Sequence, residues 1–151
     1  MIASSIRAEV VAEKISYVRN MLEALRLLPL STYEDFLSDA RNAAAAESYL
    51  RRALEALFDL GRHILARAFS MAPAEYKQIA EALVKKGVVS KEEGRILREM
   101  AGYRNRMVHF YQEIGEPELY SICRDSLGDI EMVTKTFGKW LEEHPQKVTR
   151  L

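Results

Sequence analysis

The residues best suited to chemistry lie together between Gly102 and Tyr111. This segment, GYRNRMVHFY, contains two arginines, an asparagine, a histidine and two tyrosines. An arginine can hold a phosphate with two parallel N–H donors, and a histidine with a pKa of about 6.5 exchanges protons near neutral pH. Arg104, Arg106 and His109 are therefore candidate site residues.

The surroundings of this segment are basic. Residues 85–109 contain seven lysines and arginines against three glutamates, a local excess of four positive charges. The cations are Lys85, Lys86, Lys91, Arg95, Arg98, Arg104 and Arg106. Such a patch would attract a phosphate backbone, and affinity for it would fall with salt. A solvated helix face is an equally good explanation from charge alone.

Helical geometry limits how Arg104 and His109 can work together. Five positions apart on an ideal helix, they point about 140° away from each other. They can converge on one phosphate if the arginine wraps around the helix or if the helix distorts near its end. A second copy of the motif across a dimer interface would also help, so we expect the site to be assembled in a symmetric dimer.

Other catalytic or metal-binding patterns are missing from the sequence. It has no G-x-S-x-G, Walker or H-E-x-x-H motif, and its three histidines and one cysteine are widely scattered. We expect no metal and no cofactor. Asp59 and His63 are spaced so that the carboxylate could orient the imidazole and support the site from an adjoining helix, although a partly buried structural histidine explains His63 as well. His144 is expected to be solvated in a frayed tail.

Composition limits the class of protein. The 151 residues are 48% hydrophobic and carry no net charge, which fits a single domain over residues 1–151 and argues against disorder and a uniformly basic nucleic-acid binder. No window is apolar enough for a membrane span, and the first residues acquire charges too early for a secretory signal. The single cysteine, Cys123, suits a reducing cytoplasm.

Hydrophobic periodicity predicts an all-α fold, an up-and-down bundle of four to five helices. The expected helices cover residues 6–28, 41–69, 73–86, 90–109 and 118–143, with a short turn at 32–39. Ser31 with Glu34 and Ser90 with Glu93 have the spacing of capping boxes, and Gly87 is expected to end the third of these helices in a left-handed conformation.

The segment from Arg104 to Tyr111 resembles the R-x4-H-x-Y signature of the HepT toxins, members of the HEPN superfamily of helical ribonucleases. The asparagine after the arginine matches the polar residue favoured there. The resemblance covers most of the chain, through the segments ALEALFDLGRHIL, GVVS and AGYRN and the residues that follow Tyr111, namely Ile114, Leu119, Tyr120 and Ile122. Gly115 departs from the acidic residue common in relatives.

The resemblance implies an HEPN-like fold and a metal-independent endoribonuclease toxin. In such a protein Arg104 would hold the scissile phosphate, His109 would transfer protons, and Asn105 would orient one of the two. Arg106 would bind flanking RNA or form a surface salt bridge. The implied partners are RNA, with tRNA among the candidates, a second copy of the chain, and an MntA-like nucleotidyltransferase antitoxin that transfers AMP to Tyr111.

Two alternatives belong to other classes. In one, the chain is a non-catalytic helical subunit that binds nucleotide or substrate for a partner nucleotidyltransferase. In the other, it is an interaction module whose motif only packs a dimer. The complete R-x4-H pair favours catalysis over the first of these.

Overall fold

The computed structural model describes residues 5–109 and 114–149, and within them the chain forms seven α-helices. The helices are α1 (Ala8–Arg26), α2 (Tyr33–Leu37), α3 (Ala40–Phe69), α4 (Tyr76–Lys85), α5 (Lys91–Val108), α6 (Glu116–Asp125) and α7 (Leu127–Glu143). A 3-10 turn (Pro145–Lys147) and two short strands, β1 (Ile6–Arg7) and β2 (Val148–Thr149), complete the described part. The predicted all-α class is confirmed.

The long helix α3 is the centre of the bundle. It packs against each of the other six helices. Its apolar stripe, which includes Leu50, Leu54, Leu57 and Ile64, is fully buried, as periodicity of three and four residues predicts. Because α3 reaches every neighbour, side chains on its remaining face can contribute to a site shared with α4 and α5.

The start of α5 agrees closely with the sequence prediction. The Ser90 hydroxyl accepts from the Glu93 amide at 3.1 Å, and the Glu93 carboxylate accepts from the Ser90 amide at 3.0 Å, which completes the predicted capping box. Gly87 before it has a φ of +72°, the left-handed conformation expected after α4. These caps fix where α5 begins and hence which residues reach its other end.

Two predicted helix starts are wrong by a few residues. Helix α2 is capped by Thr32, whose hydroxyl accepts from the Asp35 amide at 3.0 Å, and not by the predicted Ser31 with Glu34. Helix α4 begins at Tyr76 and not at Pro73, since Glu75 caps it in a box with Gln78. In both cases a competing cap lies within a few residues, and sequence alone does not rank the two.

The last predicted helix is in fact two. The chain breaks at Ser126, which separates α6 from α7. Helix α6 packs against α2 and α3, whereas α7 packs against α1, α3 and α5. The bend lets both apolar faces meet the core, and with α2 it raises the helix number above the predicted four to five.

Residues 145–149 are structured, so the prediction of a frayed tail is wrong for them. Strand β2 pairs in parallel with β1, with Ile6 opposite Val148. The His144 ring is stacked on Trp140 with 4.3 Å between ring centroids, and its Nδ1 lies 2.7 Å from the Trp140 carbonyl oxygen. His144 therefore packs against α7 instead of extending into solvent.

None of the described helices combines the length and hydrophobicity needed to cross a lipid bilayer.

Candidate active site

A cleft of about 560 Å³ lies where α3, the start of α4 and the end of α5 come together. It is lined by Arg62, Ala74, Glu75, Tyr76, Lys77, Arg104, Asn105 and His109. Three of the five candidate residues from the sequence, Arg104, Asn105 and His109, are thus brought to one cavity. Its lining is mainly polar, which suits a charged ligand better than an apolar one.

The end of helix α5 explains how Arg104 and His109 share this cleft. The helix stops at Val108, and His109 has an extended backbone with φ −83° and ψ 114°. Its amide still donates to the Asn105 carbonyl at 3.0 Å, which keeps it against the last turn. The predicted distortion near the helix end is therefore present. It brings both residues to one cleft within a single chain, so a second copy is not needed for that purpose.

Arg104 is held by groups from two other helices. Its Cζ lies 4.5 Å from the centroid of the Tyr76 ring, within the range of a cation–π interaction. Its Nε lies 3.5 Å from the Glu55 Oε1 on α3. That Nε is buried and has no hydrogen-bond partner among the described residues, although a quarter of the side chain as a whole is exposed.

Tyr76 is fixed from behind by the core. Its ring stacks on that of Phe58 with 4.9 Å between centroids, and Phe58 is almost fully buried. The guanidinium of Arg62, on the same side of α3 as Glu55, lies 5.7 Å from the Tyr76 centroid. Two arginines and one tyrosine therefore form a contiguous cluster along the cleft.

Sequence reasoning missed Glu55, Arg62, Tyr76 and Lys77. A signal for the first two was present, because residues seven apart lie on the same face of a helix and α3 was correctly predicted. Tyr76 and Lys77 had no comparable signal, because their place in the cleft depends on the tertiary packing of α4 against α5, which no local sequence pattern predicts.

Arg106 takes the second of the two roles that the sequence left open. Its guanidinium donates two bonds, of 2.8 and 2.6 Å, to the carboxylate of Glu118 on α6. This pairing lowers the pKa of Glu118 below its usual value. Arg106 does not line the cleft. It forms a bidentate salt bridge that fastens α5 to α6.

The expected contact between Asp59 and His63 is not formed. The Asp59 carboxylate lies 3.5 Å from Arg62 and 3.6 Å from Lys14. His63 instead accepts a hydrogen bond at Nε2 from the Arg7 amide at 3.1 Å. Neither residue lines the cleft. The prediction that Asp59 orients His63 and so supports the site is therefore wrong.

Four of the seven cations in residues 85–109, all of them arginines, take part in ion pairs between described residues. Arg95 pairs with Glu92 and Glu99, and Arg98 lies 3.8 Å from Glu81. Within the cleft, by contrast, Arg62, Lys77 and Arg104 stand against Glu75, and none of the ion pairs between described residues involves Lys77. A phosphate that enters the cleft would therefore meet three cationic side chains and one carboxylate.

Tyr111, the remaining candidate, lies outside the described residues. Among residues 5–109 and 114–149, no three histidine, cysteine, aspartate or glutamate side chains come together as a metal site would require. What the described cleft offers is a guanidinium, an imidazole and an amide on a polar, solvent-accessible surface.

Comparison with known proteins supplies a family and a fold. The sequence model described as "Ribonuclease HepT-like" matches residues 13–137. No curated protein gives a sequence match. Among solved structures, a cytosolic protein of unknown function, YutE from Bacillus subtilis, superposes with a TM-score of 0.81 at 18% identity, covering 98% of this chain and 99% of its own.

Two further solved structures are toxin–antitoxin complexes. A tri-AMPylated HEPN toxin from Shewanella oneidensis, in complex with an MNT antitoxin, superposes with a TM-score of 0.79 at 20% identity, covering 86% of this chain and 97% of its own. A toxin–antitoxin structure with AMP-PNP gives a TM-score of 0.78 at 19% identity, covering 87% and 98%. At these identities the similarity establishes a shared HEPN-like fold.

Proposed function

Because the chain belongs to the HepT-like ribonuclease family, as its motif indicated, we propose that it is a metal-independent endoribonuclease that acts as the toxin of a toxin–antitoxin pair. One observation carries the proposal. Arg104 and His109, the two residues of the R-x4-H motif, line the same cleft within one chain. A packing motif would have no need of an open, polar cleft around both.

The proposed reaction uses the nucleophile that RNA itself supplies. His109 takes the proton from the 2′-hydroxyl, whose oxygen attacks the adjacent phosphorus as the bond to the 5′-oxygen breaks. The imidazolium returns the proton to that leaving oxygen, so the products are a 2′,3′-cyclic phosphate and a 5′-hydroxyl. Arg104 offsets the charge that develops on the phosphate oxygens, and Asn105 orients the phosphate or the imidazole. DNA, which lacks the 2′-hydroxyl, is not cut.

The test is cleavage of RNA, including tRNA, by the purified protein in excess EDTA. We expect Arg104→Ala and His109→Ala each to lower the rate by about 100-fold or more, since a positioned acid–base group contributes at least that much. Arg98→Ala is the matched control, because it removes the same charge from the same helix outside this cleft. Circular dichroism confirms that all variants are folded. Cleavage by both variants at the parent rate would refute the assignment.

We also propose that the chain works as a homodimer in which the clefts of two copies face a shared groove. His109 is exposed at the chain surface and so is accessible to a second copy. Sedimentation analysis of the active protein tests this. A fully active monomer at the assay concentration would exclude the dimer.

For regulation, we propose that an MntA-type nucleotidyltransferase antitoxin transfers AMP to Tyr111. The phenol oxygen attacks the α-phosphorus of ATP, pyrophosphate leaves, and the phenol proton passes to solvent. The adenylate would put bulk and negative charge beside Arg104 and His109, where an RNA phosphate must bind. The Shewanella oneidensis toxin, which shares the fold, is AMPylated in its complex with an MNT antitoxin.

Intact mass after incubation with the antitoxin and ATP tests this proposal. We expect the first added adenylate to disappear in Tyr111→Phe and to remain in Tyr103→Phe, the matched control. Tyr103 is a half-buried tyrosine on α5 whose hydroxyl donates to Glu99 at 2.6 Å. An adenylate that persists in Tyr111→Phe would place the modification elsewhere.

A further inference from the structure

We infer that Glu55 and Tyr76 are positioning residues that hold Arg104 in the conformation needed for phosphate binding. The inference rests on the proposed ribonuclease function for its kinetic consequences, but its geometric content is independent of that function. Both residues come from elements outside the R-x4-H motif, Glu55 from α3 and Tyr76 from the start of α4.

Glu55 fixes one edge of the Arg104 guanidinium. The carboxylate oxygen lies 3.5 Å from the buried Nε, the nitrogen that is nearest the helix and has no hydrogen-bond partner among the described residues. Glu55 is itself tethered, since the same oxygen accepts from Arg51 at 3.2 Å one turn earlier on α3. An ion pair directed at Nε leaves the two terminal nitrogens as the donors for a bidentate contact with phosphate.

Tyr76 fixes the face of the same guanidinium. Arg104 Cζ lies 4.5 Å from its centroid, and the ring is backed by Phe58 at 4.9 Å between centroids. Because Phe58 is almost fully buried in the core, the tyrosine ring has little room to tilt away. The arginine is thus held along an edge by charge and across a face by an aromatic ring.

This arrangement matters because an arginine side chain is long and has many rotamers. A guanidinium that is ordered before substrate binds needs no reorganisation as charge develops on the phosphate. A displacement of about 1 Å in a catalytic group can cost on the order of 100-fold in rate. The distance from Arg104 Nε to Glu55 Oε1 would also shorten when bound substrate aligns the terminal nitrogens with the phosphate, because catalytic contacts often tighten in the substrate complex.

Substitutions of Glu55 provide the kinetic test. We expect Glu55→Ala to lower kcat for RNA cleavage by about 10- to 100-fold with a smaller change in KM, because the geometry at the reacting phosphate is disturbed. Glu55→Gln, which keeps an acceptor oxygen, should retain most of the activity. The shape of the pH profile should not change, since Glu55 moves no proton in the reaction.

Glu47→Ala is the matched control for Glu55. It removes an exposed carboxylate from the same helix, at a position that does not line the cleft. We expect it to stay within about twofold of the parent rate. For the ring, Tyr76→Phe keeps the aromatic face and should be active, whereas Tyr76→Leu should lose activity without changing the pH profile.

A double-mutant cycle decides whether Glu55 acts through Arg104. In excess enzyme and single turnover, Glu55→Ala should cost little in a background that already carries Arg104→Ala, because the group being positioned is gone. The same fold-loss in both backgrounds would overturn the inference. If Glu55→Ala does not fold, the cycle is run with Tyr76→Leu, which is also expected to lose activity, in its place.

A measurement that needs no activity separates this inference from the proposed function. In ¹⁵N-labelled protein, the Arg104 Nε–H should exchange slowly with water in the parent and in Glu47→Ala, and fast in Glu55→Ala. If the parent cuts no RNA but this pattern holds, the ribonuclease proposal fails and the positioning stands. Equal exchange in the parent and in Glu55→Ala would refute the positioning whatever the activity.

Discussion

At the scale of single residues, His63 shows how a histidine can be structural and still make the protein sensitive to pH. Its Nε2 accepts a hydrogen bond from the Arg7 amide at the point where β1 passes into α1. Partial burial lowers the pKa of His63 below its ordinary value of 6.5, and the nearby charges of Arg67 and Arg7 lower it further. The folded protein therefore favours the neutral ring, which is also the form that can accept the bond.

His63 therefore makes the folded protein less stable at acidic pH than at neutral pH. Above about pH 6.5 the ring is neutral in both states and the stabilisation is fully present. As the pH falls below that value, the unfolded chain takes up a proton that the folded ring resists, so stability is lost until the folded pKa is passed. We expect the melting temperature to drop between about pH 7.5 and about pH 5.5, and the drop to be smaller in His63→Gln, which has no titrating ring.

His144→Gln is the comparison for this experiment. His144 stacks on Trp140 and accepts no bond from an amide of another element. Glu93 and Glu118 do not confuse the measurement, because their pKa values are lowered and they titrate below the window. If His63→Gln and the parent lose the same amount of stability, His63 does not carry the effect.

The sequence predicts the candidate residues that line the cleft but not the side chains that pack against them. Arg104, Asn105 and His109 belong to one short motif, and the structure brings all three to one cleft. Glu55 and Tyr76 lie on other elements, and no local spacing links them to Arg104. The spacing of Asp59 and His63 misled for a related reason: on α3 the carboxylate has Arg62 one turn away and Lys14 across from α1 as competing partners.

At the scale of elements, the close approach of α4 and α5 determines the shape of the cleft, since α4 begins with Tyr76 and α5 ends beside Arg104. Gly94 is a point of close approach at the opposite end of the helix pair from the cleft, because a Cβ added there would overlap the Cγ2 of Val84. We expect Gly94→Ala to lower the free energy of unfolding by about 1–3 kcal/mol, the usual cost of overpacking. Denaturant titration measures it.

The same helix offers the control. A Cβ at Gly102 would meet nothing within 4 Å, so Gly102→Ala should raise stability by about 0.5–1 kcal/mol through its better helix propensity. Val84→Ala combined with Gly94→Ala should recover part of the loss. If Gly94→Ala is as stable as Gly102→Ala, α4 shifts to accommodate the added methyl group and the contact between Gly94 and Val84 is not tight.

Among the elements, those with strong local signals were predicted well. The long apolar stripe of α3 and the capping box of α5 gave helices whose observed bounds lie within one or two residues of the prediction. The break at Ser126 was not predicted, because the apolar spacing of α6 continues into α7 and the bend depends on which neighbours each helix packs against. The pairing of β1 with β2 joins the two ends of the described chain, and two-residue strands leave no periodic pattern to detect.

At the scale of the whole molecule, charge is balanced overall and concentrated locally. The chain has 22 basic and 22 acidic residues, so its net field does not attract a polyanion. Several arginines of α5 are committed to ion pairs with glutamates. If the chain binds RNA as proposed, Arg62, Lys77 and Arg104 of the cleft are expected to contact phosphates, and the affinity should respond to salt as a small number of such contacts would.

Lys77 is the cleft cation best placed to contact an RNA phosphate, because it lines the cleft and takes part in none of the ion pairs between described residues. Binding is measured with single-stranded RNA and the His109→Ala protein, which removes cleavage. With two to three cationic contacts, the slope of log affinity against log salt should be about −2, and Lys77→Ala should make it shallower by about 0.7, the value for one single-strand contact. Lys135→Ala, an exposed lysine of α7 away from this cleft, is the control and should leave the slope unchanged. If Lys77→Ala and Lys135→Ala give equal slopes, RNA does not contact Lys77. If both slopes are also steeper than about −2, the phosphate contacts lie on another face of the molecule.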